Sequence, residues 1–493
     1  MRSEDDLPGY GHVKKRNQAV REGVKRGGRS FAQETCGVGA AAPCQTQDAL
    51  GDDRPAGPHR GKASAVYVLA AALAAALHPF PCDASGGAAT GQPADGVAVS
   101  PEPGWPQWRG IRRDGVSLET GLLPAWPEGG PPLLWTVSGL GAGYSSPIIT
   151  RGAIYITGDV GEDLVIFAVD LDGKPMWRAK NGASWTKNHP GSRSSCTYAG
   201  GRIYHMNAHG RAVCLDAATG RELWMVDVLE RFQGSNITWG LSECLLVDGR
   251  RVIVSPGGEK GLMAALDANT GRTVWASGSI EGERAGYASP LMFSWGGRRH
   301  LVSGSSRHAF GVDAETGRLL WTFPQPTKNE IIASTPIYLG GGRVFVIRAG
   351  SPAGTLLSIL AQGADVRVQE VWTGRVGNYH GGVVQWKGRL YGSACGNPAG
   401  WGCADAQTGE ILYTTREFVK GSCIWADGRL YALAEDGVMA LLKPAPGGLE
   451  TVGRFTLADA QKNDAWAHPV LLDGRLYLRF HGTLFCYGVR ARL

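Results

Sequence analysis

The sequence predicts an all-β protein: an eight-bladed β-propeller of four-stranded antiparallel blades, closed by a strand from the N-terminal side. Three observations predict it. A segment of the form D-A-x-T-G-x-x-x-W recurs along the chain. A tight glycine turn between alternating apolar runs recurs upstream of it. Glycine supplies 73 of 493 residues, while charged residues make up only 19% and hydrophobic ones 43%. Each interior glycine costs a helix about 1 kcal/mol against alanine, so this composition favours short strands joined by turns. The apolar share excludes wholesale disorder, and no G-X-Y period accompanies the glycine, which excludes collagen.

Each repeat unit reads as four strands, here termed A to D. Strand A follows a small-small-Pro-apolar start: Ser145-Ser146-Pro147-Ile148, Ala288-Ser289-Pro290-Leu291, Ser334-Thr335-Pro336-Ile337 and Ala467-His468-Pro469-Val470. A Gly-Gly, Asp-Gly or Lys-Gly turn then leads into strand B, as at Gly200-Gly201, Asp248-Gly249, Lys387-Gly388, Asp427-Gly428 and Asp473-Gly474. Such two-residue hairpin turns need positive φ, which glycine supplies. Strand C ends on the repeated Asp (170, 216, 267, 313, 405), read as a cap of the C–D turn. Strand D carries the repeated aromatic residue at 135, 177, 224, 275, 321, 372, 413 and 455, spaced 41 to 51 residues apart. Tandem four-stranded units of this length define a propeller. Trp177, Trp224, Trp275 and Trp321 occupy one equivalent position and read as a structural girdle between blades.

Closure follows from the ends. The last unit, from about residue 464, reaches Leu493 after only three strands. A spare D strand, Pro132-Leu133-Leu134-Trp135, stands before the first unit. It is expected to complete the last blade and remove the open edge.

The N-terminal part is of another kind. Residues 1–62 mix basic clusters with Gly, Ala and Pro without lasting periodicity and read as a disordered extension. Residues 63–84 hold a 15-residue apolar run, Ala63–Leu77, behind Arg60 and Lys62, the pattern of a secretory signal. An uncleaved anchor and an apolar tract within a linker stay open as readings. The run is shorter than the roughly 20 residues a membrane span needs, so no stable span is expected. Residues 85–103 read as a linker and 104–493 as the propeller. The expected location is periplasmic or extracellular, with membrane anchoring as the open variant.

A net charge of +6 is weak for this length and gives no reason to invoke nucleic acid. Seven cysteines lie beyond residue 84, none in a C-x-x-C pair, which removes zinc ribbons and thioredoxin-type redox sites. Cys395 and Cys403 bracket one short loop and form the disulfide candidate.

The D-A-x-T-G-x-x-x-W signature resembles the tryptophan-docking repeat of pyrroloquinoline-quinone (PQQ) dehydrogenases and their cofactor-free relatives. The leader Trp105-Pro106-Gln107-Trp108-Arg109-Gly110, with Arg113-Asp114-Gly115, resembles the opening of PQQ-like repeat proteins of bacterial envelopes; Ile111 stands where proline is expected. The resemblance covers about residues 104–493. It implies a PQQ-like, quinoprotein-type propeller. Its members include PQQ enzymes and a lipoprotein that helps assemble outer-membrane barrels. The enzymes, as the resemblance implies, use adjacent bridged cysteines, a Ca²⁺ ion and a catalytic Asp. This chain has no Cys-Cys pair, and Ca²⁺ wants six to eight oxygen ligands. The expectation is therefore a binding or scaffolding protein without cofactor or metal. The alternatives are a PQQ- and Ca²⁺-dependent dehydrogenase of an alcohol or sugar, and a propeller hydrolase or lyase. No P-loop, G-x-S-x-G or H-E-x-x-H motif is present, and no catalytic residue is assigned.

The A–B and C–D turns are stereotyped, so function is expected on the opposite face, where the D–A and B–C connections vary. A Lys-Asn pair recurs there at Lys187-Asn188, Lys328-Asn329 and Lys462-Asn463, with His189 beside the first. Strand-A starts add Tyr144, Arg193, Trp239, Tyr287, Tyr379, His380, Lys420, Trp466 and His468, and Glu243 replaces the usual Ser. These would ring the channel mouth with cations, amides and aromatic faces. The expected partner is a protein, an extended peptide, or an anionic or carbohydrate-like ligand.

Overall fold

The computed structural model describes residues 95–491, except 328, 349–352, 364, 379, 398 and 458–463. The described residues belong to one compact unit, Thr90–Leu493. The basic extension 1–62 and the signal-like segment 63–84 lie outside them.

Eight antiparallel sheets follow one another along the chain, each ordered A-B-C-D. In the first blade these are Ile148–Thr150, Ala153–Val160, Asp163–Asp170 and Pro175–Ala183. Strands A, B and C are buried almost throughout, whereas D alternates exposed and half-buried positions at the rim. The alternation follows from the strand's period of two, with one face on the neighbouring blade and one in water. The later blades span 197–227, 246–276, 291–324, 337–374, 384–415, 421–456 and 470–488. Among the described residues no helix is long and apolar enough to cross a membrane.

Four of the five A–B turns behave as the sequence predicts; in the third blade the turn is Gly249-Arg250, with Asp248 paired to Arg251 in the ladder. Arg151-Gly152, Lys387-Gly388, Asp427-Gly428 and Asp473-Gly474 all have positive φ at both residues. At the C–D turn of the second blade, Asp216 Oδ1 accepts from Ala218 N, Thr219 N and Thr219 Oγ1 at 3.2, 2.9 and 2.7 Å. The glycine of this turn has a second duty. A Cβ on Gly220 would lie 2.5 Å from the Trp177 ring of the preceding blade. The indole therefore rests on the bare turn, and Trp177 Nε1 donates to Ala217 O at 3.0 Å. Gly271 meets Trp224, Gly317 meets Trp275 and Gly409 meets Trp372 in the same way. This contact explains why Thr-Gly and Trp travel together in the repeat.

The clasp is present. Leu133–Val137 pairs antiparallel with Thr483–Gly488, with Leu133 opposite Tyr487 and Trp135 opposite Cys486. Trp135 Nε1 donates to Leu171 O of the first blade at 3.0 Å. Arg479, fully buried on strand B of the last blade, donates to Ser145 O at 3.0 Å and to Thr157 O at 2.6 Å on the first blade.

Two further sequence expectations need correction. Residues 85–103 were expected to be linker up to the propeller at 104. Instead Gly96–Val97 pairs antiparallel with Phe293 and Ser294 of strand A, at the inner edge of the fourth blade. The second is the disulfide: Cys395 and Cys403 are both free and buried. Their nearness in sequence misleads. In the B–C ladder Cys395 faces Gly400 and Cys403 faces Tyr391, several residues along. They also enter different cores, Cys395 beside Ile337 and Phe345, Cys403 beside Val384 and Trp425. A bridge needs Cα atoms within about 7 Å and Cβ vectors that meet.

The segment Ala98–Glu119, which contains the leader, touches all eight blades. Trp105 exchanges main-chain hydrogen bonds with Ile149, and Pro106 O accepts from Tyr198 N. Arg113 donates to Cys244 O and Leu245 O of the third blade. Ala98 N donates to Met292 O of the fourth. Trp108 Nε1 donates to Thr335 Oγ1 before the fifth, and Arg109 Nη2 to Val383 O before the sixth. Gly115 and Ser117 bracket Trp425 of the seventh, and Glu119 accepts from Asp473 N and Gly474 N of the eighth. Ile149 and Trp425 lie at the A–B-turn ends of their strands. The segment thus crosses the channel from the turn side and fills its bottom.

Candidate functional site

Above the leader the channel opens as a cup of about 340 Å³. Trp108 forms part of its floor. Of the residues expected at the mouth, Tyr144, His189, Arg193, Trp239, Tyr287, His380, Lys420 and Trp466 line it together. Blade geometry explains the convergence: each strand A is innermost, so the residues just before it project over the axis. Trp466 is bordered by Tyr144, His189 and His380, with ring centroids 4.7, 4.8 and 5.0 Å away. Trp239 and Tyr287, 6.0 Å apart, form another part of the wall.

The cations of the cup are already engaged. Arg193 donates through Nη1 to Trp239 O, through Nη2 to His189 O at 2.6 Å and Gly191 O at 3.2 Å, and lies 5.2 Å over the Trp185 ring. Burial lowers its pKa to about 10. Lys420 Nζ lies 2.8 Å from Glu435 Oε1, which also meets His380 Nε2 at 3.2 Å. Burial works to raise the Glu435 carboxyl, but the hydrogen bonds from His380 and Lys420 outweigh it and hold it below its ordinary value. What the cup offers a ligand is therefore aromatic faces and hydroxyls, together with the Arg193 cation, whose hydrogen-bond acceptors are all main-chain carbonyls.

Other expected residues lie elsewhere. His468 is buried beneath the wall: its ring stands 4.4 Å from Trp108, Nδ1 meets Arg109 Nη1 at 3.4 Å, and Nε2 meets His380 O at 3.0 Å. Arg109 can only donate, so Nδ1 accepts and Nε2 carries the proton. Burial, and then the Arg109 charge, depress its pKa well below the usual value. Lys187 is exposed, 5.7 Å over Trp185, and Asn188 contributes its carbonyl to Trp185 Nε1 at 3.0 Å. Asn329 is exposed and does not line the cup. Lys328, Tyr379, Lys462 and Asn463 lie outside the described residues.

Glu243 is a correction. It was expected at the channel mouth but is buried, with its carboxylate accepting from Ser255 N and Ser255 Oγ, both at 2.8 Å. Extended chain alternates its side chains: Ser242 and Cys244 face the cup, so Glu243 faces away. Burial raises its pKa to about 7. The sequence reading also missed Trp108, Ser242, Cys244, Ser289, Ile331 and Ala333 in the lining. The small-small-Pro pattern marked the position of Ser289 without marking it as a cup residue.

The donor set of the cup does not suit a Ca²⁺–quinone pair. No carboxylate is among the described lining residues, Glu435 is committed to Lys420 and His380, and Cys244 has no adjacent thiol. Among the described residues no group of three or more His, Cys, Asp or Glu is placed to hold a metal. One constellation has the outline of a hydrolase triad: Ser194 Oγ lies 3.0 Å from His205 Nε2, and His205 Nδ1 lies 2.8 Å from Asn181 Nδ2. The Asn181 oxygen faces Arg211, so its amide nitrogen donates to Nδ1 and leaves the proton on Nε2. That ring cannot accept the serine proton, and Ser194, His205 and Asn181 are all buried.

Comparison with known proteins agrees with this architecture. The family profile described as "Outer membrane protein assembly factor BamB" matches residues 161–415. A quinohemoprotein alcohol dehydrogenase, ADH-IIG of Pseudomonas putida, is 28% identical over 150 residues, 28% of this chain and 20% of that protein. The outer membrane protein assembly factor BamB of Nitrosomonas eutropha is 26% identical over 224 residues, 45% of this chain and 48% of its own. The chain thus spans from a fifth to about half the length of these relatives. The crystal structure of BamB from Moraxella catarrhalis superposes with a TM-score of 0.50 at 15% identity, over 73% of this chain and 98% of that one, a likeness of fold alone.

Proposed function

Because the chain belongs to the PQQ-repeat propeller family described as outer membrane protein assembly factor BamB, we propose that it is an extracytoplasmic binding or scaffolding protein. Its seat is the aromatic cup on the D–A and B–C face. The carrying observation is that the cup is floored by the leader and walled by rings whose neighbouring cations are already engaged, Arg193 by main-chain carbonyls and Lys420 by Glu435. Such a surface favours an uncharged, ring-bearing ligand: an aromatic side chain of a partner protein or peptide, or the CH face of a sugar. The signal-like segment 63–84 supports export, and the family's description supports an envelope setting.

A photo-crosslinking residue at His189, on the cup, and one at Lys387, on an A–B turn, test this in the native host. Adducts are expected from position 189. Adducts from 387 alone would contradict the reading.

The likeness to quinohemoprotein alcohol dehydrogenases supports a second reading, a PQQ-dependent oxidoreductase, against which stands the lack of a carboxylate among the described lining residues of the cup. Stoichiometric PQQ uptake with Ca²⁺, coupled to dye-linked alcohol oxidation, would establish it in place of the first.

A further inference from the structure

The opposite, A–B-turn side holds a second cavity of about 310 Å³, between the leader and the third and fourth blades. Arg112, Arg113, Arg299, Gln107 and Asp248 contribute its polar wall. Two of the three arginines have carboxylate partners. Arg112 Nε lies 2.8 Å from Asp114 Oδ2. Arg299 meets Asp248 Oδ1 at 2.8 Å through Nη1 and Glu315 Oε1 at 2.7 Å through Nε.

Arg113 differs. It is 3% exposed. Its Nη2 donates to Cys244 O at 2.7 Å, and its Nη1 to Leu245 O at 3.1 Å and Gln107 Oε1 at 3.3 Å. All three acceptors are neutral. Its Nε is buried and has no partner among the described residues. Glu243 is the acid whose field reaches it, but that carboxyl is held by Ser255 and raised to about 7. Buried Arg109 and Arg479 also bind main-chain carbonyls, yet neither has an orphaned Nε. A buried guanidinium without a counter-ion is unfavourable, and a buried donor without an acceptor adds to that.

We propose that this cavity is an anion site, in which Arg113, assisted by Arg112, binds a small oxyanion of the carboxylate or phosphate class. A planar guanidinium matches both geometries. The site is formed jointly by leader residues and by the third and fourth blades, so its occupant would tie the leader to the ring. It is separate from the aromatic cup and does not depend on the function proposed for that cup.

Isothermal titration of the whole protein with inorganic phosphate, at fixed ionic strength, tests the proposal; acetate as competitor separates the two sources of oxyanion. One saturable site per chain is expected, emptied by whichever anion binds more tightly. Arg113→Met should weaken it roughly tenfold or more, the loss of a charged hydrogen bond. Arg112→Ala keeps the leader's bond to the third blade and should weaken binding less. Should Arg113→Met fail to fold, the wild-type stoichiometry and Arg112→Ala decide. No saturable binding in the wild type, or affinity unchanged in Arg112→Ala, overturns the site.

Discussion

The Trp108 indole and the His468 imidazole lie 4.4 Å apart, centroid to centroid, although one belongs to the leader and the other to the last blade. Through this contact the floor of the cup is held by the end of the chain. Arg109, beside Trp108, strengthens the same junction through His468 Nδ1 and Val383 O. The leader is therefore a structural part of the ring.

Arg109→Met should accordingly destabilise the protein by about 2–4 kcal/mol, because Val383 O and Asp114 O lose a buried charged donor. Guanidinium unfolding measures it. A change below about 0.5 kcal/mol, the range of ordinary surface substitutions, would show that the leader only rests on the ring.

The clasp makes a sharper prediction. Trp135→Ala removes an indole that packs on Tyr477 and donates to Leu171 O. A loss of about 3–5 kcal/mol is expected. Deleting 485–493 removes most of the partner strand, Phe485–Gly488, and should lower the melting temperature further. Retention of wild-type melting after either change would contradict closure by this strand.

Two glycines separate turn strain from tryptophan docking. Gly200 and Gly220 have φ of 57° and 73°, but a Cβ on Gly200 meets nothing within 4 Å, whereas one on Gly220 meets the Trp177 ring at 2.5 Å. Gly200→Ala should cost about 1 kcal/mol for backbone strain. Gly220→Ala should cost a further 1–3 kcal/mol or so for overpacking. Equal losses by denaturant unfolding would remove the docking explanation of the repeat.

Glu243 should leave a mark on the pH dependence. Its folded pKa is raised from 4.5 to about 7 by burial, so its contribution to stability is present below 4.5 and lost as pH rises through 7. Glu243→Gln removes that dependence. Relative to wild type, the variant should gain about 1.4 kcal/mol per pH unit between those values and then level off. A stability difference independent of pH would mean that the carboxyl titrates normally.

Most of the fold was legible because the repeat writes each strand several times. The Asp cap, the Thr-Gly turn and the docked Trp recur, and the unpaired D strand at Trp135 announced the closure. The site was only partly legible. Residues before each strand A could be placed over the axis by analogy between blades, which located Tyr144, Trp239, Tyr287 and Trp466. Trp108 could not be placed, because its partners lie 227 residues away at Thr335 and in the last blade at His468. Glu243 and the Cys395–Cys403 pair were misread for one reason: sequence nearness does not say to which side of a blade a side chain turns.

The central claim is that the cup recognises rings and not charge, and the most direct measurement compares two variants carrying the His189 photo-crosslinker. Trp239→Ala removes an aromatic wall, while Lys420→Met removes a cation paired with Glu435. Crosslinking to the partner should fall roughly tenfold with Trp239→Ala, as for an aromatic hot spot, and persist with Lys420→Met and in high salt. Loss with Lys420→Met and in high salt, with Trp239→Ala unaffected, would contradict the account.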